Sequence, residues 1–201
     1  DNSHYEKQGN TECCIDNVIP FDIPENWKWV RLQSVCKKIV DGDHNPPKGE
    51  SSKTDYLLLS SLNINNDKLI NLDQCRYLSK AMFDVENQRT AVEVGDIFLT
   101  TVATLGRSCI FKGGLNVSFQ RSVSVISSLI DNSYLKAVFD SPYFQGLMIT
   151  KSSGTVQKGF YLNQLATTII PLPSLSEQKR IVAKLSQILP ICDYLTEINK
   201  Y

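Results

Sequence analysis

The side chains that most often perform chemistry are sparse in this chain of 201 residues. It has only two histidines, His4 and His44, and none of its cysteines forms a C-x-x-C pair. Zinc sites need about four such ligands at short, regular spacings, so we expect no metal site and no cofactor. The pattern is typical of reduced, mostly buried thiols in a cytosolic protein. The six cysteines are Cys13, Cys14, Cys36, Cys75, Cys109 and Cys192.

Catalytic arrangements of carboxylates and hydroxyls are also missing from the sequence. A serine hydrolase of the α/β type carries a G-x-S-x-G turn, which does not occur here. Glu93 and Asp96 look like turn residues, and neither belongs to a convincing carboxylate pair of a nuclease. We therefore predict no hydrolytic or nucleolytic activity for this chain.

One short segment is similar to the N-P-P-aromatic motif of amino-methyltransferases, in which an aromatic ring stacks on a flipped base. It is N-P-P-K at 45–48, so Lys48 stands where that ring would be. No glycine-rich cofactor loop follows an early strand. Methyl transfer by this chain is therefore not expected.

The charges balance, with 21 Lys and Arg against 21 Asp and Glu. A net charge of zero counts against a simple electrostatic nucleic-acid binder, although the distribution of charge matters more than its sum. Between positions 100 and 159 the cations outnumber the anions, so a basic face is predicted there. The cations are Arg107, Lys112, Arg121, Lys136, Lys151 and Lys158, and the anions are Asp131 and Asp140.

Most of the middle of the chain has the apolar runs and alternation of β-strands. Before it, the spacing of Leu32, Val35, Cys36 and Ile39 predicts a short helix. We expect an α+β fold in which short helices accompany a curved or barrel-like antiparallel sheet. Strands are predicted at 56–59, 96–102, 109–111, 117–127 and 167–171, and an exposed loop at 41–52.

Helices return after position 130. Asn132 and Ser133 precede one predicted helix, and Ser141 is placed to cap a second that has Pro142 at its first position. A single helical turn is predicted at 162–166.

The end of the chain predicts a long helix. Ser174 and Glu177 form an S-x-x-E capping box, so the helix should begin at about Leu175. Its apolar residues then step by four and three, which is the spacing of a coiled-coil seam that needs a partner helix. The open alternative is a core helix of the same domain. The seam residues are Ile181, Leu185, Ile188, Cys192 and Leu195.

These patterns divide the chain into three parts. A polar lead-in (1–26) precedes a globular domain (27–173), which is followed by the long helix (174–201). No apolar run is long enough for a transmembrane helix.

Seven motifs together resemble the specificity (S) subunit of type I restriction–modification systems, over roughly residues 20–200. The last of them, P-L-P-S-L-S-E-Q-K-R-I-V at 171–182, is the most specific. The others are I-P-E-N-W-K-W at 23–29, D-G-D-H-N-P-P-K at 41–48, G-D-I-F-L-T at 95–100, T-L-G-R-S at 104–108, F-Q-R-S-V at 119–123 and G-T-V-Q-K-G-F at 154–160.

The resemblance implies a non-catalytic cytoplasmic subunit that recognises double-stranded DNA. In this family, two target-recognition domains each read one half of a split site, and long helices space them and dock methyltransferase (M) subunits. A restriction and translocase (R) subunit joins the full complex. The present chain has one such domain and one helix, so it is either a half-subunit that pairs with a second copy or a fragment.

The resemblance also implies that polar loop residues contact DNA, because cations and hydroxyls bind phosphates while amides and guanidinium groups read base edges. Arg121 has two open interpretations, a groove contact or a buried structural arginine, and only one of Gln120 and Arg121 can face the groove. The candidates are His44, Asn45, Lys48, Lys53, Thr101, Thr104, Arg107, Gln120, Arg121, Ser153, Thr155, Gln157 and Lys158.

A second function from another class stays open at this point. The chain could be a protein-interaction module that docks through its coiled-coil helix and no longer reads DNA. The zero net charge favours this alternative.

Overall fold

A computed structural model of the chain describes residues 3–153 and 158–198. These residues form an α+β fold of short strands and five α-helices. The strands are β1 (Tyr5–Gln8), β2 (Thr11–Cys14), β3 (Lys28–Arg31), β4 (Cys36–Asp41), β5 (Tyr56–Leu59), β6 (Ile64–Asn65), β7 (Lys68–Leu69), β8 (Arg76–Tyr77), β9 (Ile97–Thr100), β10 (Ser108–Ile110), β11 (Asn116–Phe119), β12 (Val123–Ser128) and β13 (Ile169–Leu172). The helices are α1 (Lys80–Thr90), α2 (Asn132–Asp140), α3 (Pro142–Lys151), α4 (Leu162–Thr167) and α5 (Leu175–Ile198).

The central element is a four-stranded antiparallel sheet in the order β10-β9-β12-β4. Side chains alternate between its faces with a period of two. In β9, Ile97 and Leu99 join one apolar cluster, whereas Phe98 between them joins another. The sheet is therefore buried on both faces and separates two cores.

Helices cover one of these faces. α2, α3 and α4 contribute buried side chains, among them Phe139, Phe144 and Leu165, to the cluster that contains Leu99. Both longer helices begin at side-chain caps, because Asp131 accepts from the amide of Tyr134 and Ser141 accepts from that of Phe144. This core holds the start of α5 through Ile181 and Val182, which pack against it.

A three-stranded sheet, β11-β5-β8, covers the other face. β11 runs parallel to β5, and β8 runs antiparallel to it. Phe98 of the central sheet meets Phe119 of β11, with ring centroids 4.4 Å apart. Helix α1 packs against β11 and β5 of this sheet and against β4 of the central sheet.

The first and last parts of the fold meet in a small two-stranded sheet. β13 pairs antiparallel with β3, and α5 leaves directly after β13. Before it, β1 and β2 form an exposed hairpin, which Glu6 ties to Arg31 of β3 at 2.8 Å.

Several expectations from the sequence need correction. Within the described residues the strands form separate sheets, one of them mixed, and no closed barrel. The helix predicted from Leu32 to Ile39 is a 3₁₀ turn (Leu32–Val35) followed by β4, because pairing with β12 uses the backbone of the second half. The strand predicted at 117–127 is two strands in different sheets, separated at 120–122.

Helix α1 was not predicted, because it has little apolar periodicity on which to base a helix assignment. Its surface is mostly polar, and Ser79 caps its first turn through the amide of Met82. No helix among the described residues is both long and apolar enough to cross a bilayer.

Candidate nucleic-acid interface

Four loop segments lie side by side at one edge of the central sheet, and we call them together the loop rim. Three of them are residues 41–45, 101–104 and 119–122. The fourth is residue 153 together with residues 158–160, to which its backbone is hydrogen-bonded. Each segment is joined to the next by backbone hydrogen bonds. The rim is therefore a continuous surface built from parts that are far apart in sequence.

The first junction joins 41–45 to 119–122. The amide of Asp43 donates to the carbonyl of Phe119 (2.8 Å), and the amide of Arg121 donates to that of Asp43 (2.9 Å). This approach requires Gly42, since an added Cβ would stand 2.0 Å from the carbonyl oxygen of Phe119. The glycine of the D-G-D-H motif therefore serves to bring the two loops together.

The second junction joins 119–122 to 101–104, through the amide of Thr101 and the carbonyl of Ser122 (3.0 Å). The third joins 101–104 to 158–160, because the amide of Ala103 donates to the carbonyl of Lys158 (3.2 Å). Ala103 has a φ of +66°, a left-handed conformation that costs a residue with a side chain free energy. Such conformations are enriched at functional sites, where surrounding contacts enforce them.

The candidate residues that the structure brings together on the rim fall into two groups. His44 and Asn45 lie beside Gln120 and Arg121, while Ser153 and Lys158 lie beside 101–104. Arg121 is exposed and Gln120 half-buried, so the buried-arginine interpretation does not describe the structure. Thr155 and Gln157 lie outside the described residues.

Two other candidates are not exposed on the rim. The side chain of Thr101 is buried, and its hydroxyl is 3.3 Å from that of Ser124. Arg107 lines a separate cleft of about 220 Å³ together with Asp140 and Gln145. We therefore leave Thr101 and Arg107 out of the proposed DNA contacts.

Thr104 belongs to the rim and is half-buried. Lys48 and Lys53 are exposed in the part of the first loop that runs past β8, where Pro47 accepts a hydrogen bond from Arg76 (3.1 Å). These two lysines therefore lie beyond one end of the rim.

The exposed cations on the rim and at its end are uncompensated within the described residues. Lys48, Arg121 and Lys158 form no ion pair there, whereas Lys38 and Lys136, away from the rim, are paired with Asp96 and Asp67 at 3.1 Å and 2.6 Å. An uncompensated exposed cation keeps its full attraction for a polyanion.

Acidic groups lie under the first loop. Asp41 forms an ion pair with Arg89 and lies 2.7 Å from His44. Behind them Glu86 of α1 is buried, and its Oε2 has no hydrogen-bond partner among the described residues. Burial, and to a smaller extent the charge of Asp43, raises the pKa of Glu86.

The sequence analysis did not select Leu62, an exposed apolar residue, as a candidate contact. Ser60 and Asn63 form a reciprocal capping box around a 3₁₀ turn, and the amide of Ser61 donates to the hydroxyl of Ser122 (3.0 Å). Leu62 is 70% exposed on this turn beside the rim. The S-x-x-N spacing of Ser60 and Asn63 was the available signal.

The predicted helix seam begins on the globule and runs away from it. Ile181 and Leu185 are half-buried, whereas Ile188, Cys192 and Leu195 are exposed. A groove of about 640 Å³ lies between α2 and α5 and includes Leu185 in its lining. The exposed part of α5 thus carries an apolar surface that the described residues do not cover.

The expectation of mostly buried thiols is wrong, because Cys13, Cys14 and Cys192 are exposed, Cys36 and Cys75 are half-buried and Cys109 is buried. Burial raises the pKa of Cys36 to about 12 and that of Cys109 to about 11, so both thiols are protonated at neutral pH. Within 3–153 and 158–198, no group of three or more His, Cys, Asp or Glu side chains is arranged to hold a metal ion.

A family model described as the type I restriction modification DNA specificity domain matches residues 24–200. The type I restriction enzyme EcoBI specificity subunit of Escherichia coli is 29% identical over 177 residues, which cover 85% of this chain and 36% of that protein. The EcoAI specificity subunit of the same organism is 25% identical over 191 residues, which cover 89% of this chain and 30% of that protein. The chain thus spans about a third of the length of these relatives.

The fold is also found among solved structures. The HsdS subunit from Thermoanaerobacter tengcongensis superposes with a TM-score of 0.67 at 21% sequence identity. The match covers 89% of this chain and 41% of that one.

Proposed function

The chain belongs to the family of type I restriction–modification DNA specificity domains, and from that premise we propose that its loop rim reads one half of a split target in double-stranded DNA. The observation that carries this proposal is the rim itself. Backbone hydrogen bonds gather four distant loops, and with them His44, Asn45, Gln120, Arg121 and Lys158, on one surface.

The chemistry of these side chains divides the work between phosphates and bases. Lys158 and Lys48 are point charges suited to phosphates, and Ser153 and Thr104 add hydroxyl donors. Arg121 can pair with the O6 and N7 atoms of guanine, whereas Asn45 and Gln120 suit the N6 and N7 atoms of adenine. Leu62 is an exposed apolar group suited to contact with the methyl of thymine.

The domain boundaries proposed from the sequence assign DNA recognition and spacing to different parts of the chain. Residues 27–173 would be the recognition domain, and 174–201 a spacer helix whose seam pairs with a second helix. The partner helix would come from a second recognition unit, in another copy or elsewhere in a longer chain. The exposed Ile188 and Leu195 support this role.

In this proposal the chain is non-catalytic and cytoplasmic. It would position M subunits, and in the full complex an R subunit, which supply the methyl donor, nucleotide and metal chemistry. The alternative of an interaction module that no longer reads DNA is not favoured by membership of a specificity family.

A salt titration of duplex binding tests the proposal. The logarithm of the affinity should fall linearly with the logarithm of salt concentration, and the double variant K48A/K158A should reduce the slope by about 2 if each lysine neutralises one phosphate. The matched control is K179A/K184A, which removes two exposed lysines of α5. Equal slopes for both double variants would contradict the assignment of the rim.

A further inference from the structure

The joint between the globule and the long helix is built around one buried glutamine. Gln178, in the first turn of α5, is 3% exposed. Its amide nitrogen donates to the carbonyl of Pro173 (2.9 Å), and its amide oxygen accepts from the backbone amide of Asp131 (3.1 Å). One side chain therefore ties α5 both to the segment between β13 and α5 and to the start of α2.

The groups that Gln178 binds are themselves fixed. Asp131 is the N-cap of α2 and accepts from the amide of Tyr134 (2.9 Å). The buried hydroxyl of Tyr134 donates to the carbonyl of Pro171 (2.8 Å), so α2 also holds the strand that leads into α5. Pro171 and Pro173 restrict the backbone between these contacts.

We propose that Gln178 is a positioning residue that sets the direction in which α5 leaves the recognition domain. Ile181 and Val182 pack against the core beyond it, but apolar contacts are non-directional and tolerate rotation of a helix. The two hydrogen bonds of a buried amide are directional, and breaking them leaves a buried donor and acceptor unsatisfied. Gln178 therefore fixes the angle between α5 and the recognition domain, which apolar packing alone would not fix.

The length of α5 amplifies small errors at this joint. From Gln178 to Tyr194 the helix rises roughly 24 Å, at about 1.5 Å per residue. A tilt of about 10° at Gln178 moves position 194 by about 4 Å, close to the rise of one base pair, about 3.4 Å. The use of this angle to set the distance between two half-sites rests on the proposed function, whereas the rigidity of the joint does not.

Pulsed electron paramagnetic resonance on the full chain tests the joint. Spin labels on a genetically encoded ketone amino acid at positions 88 and 194 avoid the six cysteines. An excess of unlabelled chain removes distances between copies. We expect a narrow distribution for the parent chain and one that is at least twice as broad, or shifted by about 4 Å or more, for Gln178→Leu.

The matched control is Gln187→Leu, the same substitution at an exposed position of the same helix. If Gln178→Leu does not fold, as judged by circular dichroism, Tyr134→Phe removes only the contact to Pro171 and should broaden the distribution in the same sense. A distribution that is equally broad in the parent chain, or unchanged in the folded variant, overturns the inference.

A second measurement separates this inference from the proposed function. A complex of methyltransferase subunits with the Gln178→Leu variant should methylate sites whose half-site spacing differs by one base pair from the spacing that the parent complex recognises. Absence of any methylated site with the parent chain refutes the proposed function alone, because the distance measurement is made without DNA. If Gln178→Leu broadens the spin-label distance distribution but leaves the half-site spacing of the methylated DNA unchanged, Gln178 does not set the distance between the half-sites.

Discussion

Replacement of Gly42 by alanine is the sharpest test of how the loop rim is assembled. The added Cβ would lie 2.0 Å from the carbonyl oxygen of Phe119 and 2.4 Å from that of Gln120. Both are backbone atoms of a neighbouring segment, so no flexible side chain can move aside. The first loop must therefore separate from residues 119–122.

The cost follows from the hydrogen bonds at that junction. Separation removes the bond from Gly42 to Val123 and the two bonds that link Asp43 to Phe119 and Arg121. At about 0.5–1.5 kcal/mol each, their loss costs about 3 kcal/mol. For a chain of this size that corresponds to a fall in Tm of about 6–12 °C.

Hydrogen exchange measured by mass spectrometry locates the change. Exchange of the amides of Asp43 and Arg121 should accelerate by roughly 100-fold, since 1.4 kcal/mol is a factor of ten. Exchange of Phe98, which lies in the core of the central sheet and exchanges through global unfolding, should accelerate by no more than the same factor. DNA affinity should fall together with the loss of protection, because the rim no longer presents both loops at once.

Gly146→Ala is the matched control, because it lies in α3 with no atom within 4 Å of the added Cβ. It should be neutral or slightly stabilising, by up to about 1 kcal/mol, since alanine favours helices. If Gly42→Ala matches Gly146→Ala in both Tm and exchange, the close approach of the two loops is refuted.

Three further predictions concern the core, the buried acid and the apolar contact. Phe98→Ala should lower the free energy of unfolding by about 3–5 kcal/mol in urea denaturation, because Phe98 is fully buried against Phe119, and a loss under 1 kcal/mol would contradict the two-core arrangement. The pKa of Glu86 is raised in the folded state, so the stabilisation from its protonated form is present below the ordinary pKa of about 4.3 and is lost as pH rises. Glu86→Gln should therefore raise Tm at pH 7 and have a shrinking effect as pH falls towards 4, whereas an equal gain at every pH would refute this. Leu62→Ala should change stability by less than about 0.5 kcal/mol yet weaken DNA binding several-fold, and an equal loss of binding in Val85→Ala, an exposed position of α1, would show that Leu62 has no special role.

The elements with local signals were predictable from the sequence. Ser141 with Pro142 marked the start of α3, and Ser174 with Glu177 marked the start of α5, because a cap is determined by residues three positions apart. The rim could not be predicted in the same way. Its junctions, such as Thr101 to Ser122, are backbone contacts that carry no side-chain signature.

Two incorrect predictions also arose because tertiary contacts decide what the local pattern cannot. One of the two interpretations of Arg121 buried it as a structural arginine within a continuous strand at 117–127, but the strand breaks at 120–122 and the side chain is exposed. Leu32 to Ile39 has helical spacing, yet Ile39 and Val40 pair with β12 and tertiary contacts override the local pattern. Spacing alone therefore identified the loops and misjudged the orientation of residues within them.

Selection from a pool of random duplexes tests the central claim most directly. The chain is mixed with its methyltransferase subunits in dilute salt, and bound duplexes are amplified and sequenced over several rounds. We predict enrichment of a short half-site, with the enrichment lost in Arg121→Ala/Lys158→Ala and retained in Lys179→Ala/Lys184→Ala. Failure of the parent chain to enrich any sequence, or to retain duplex DNA at all, would contradict the account.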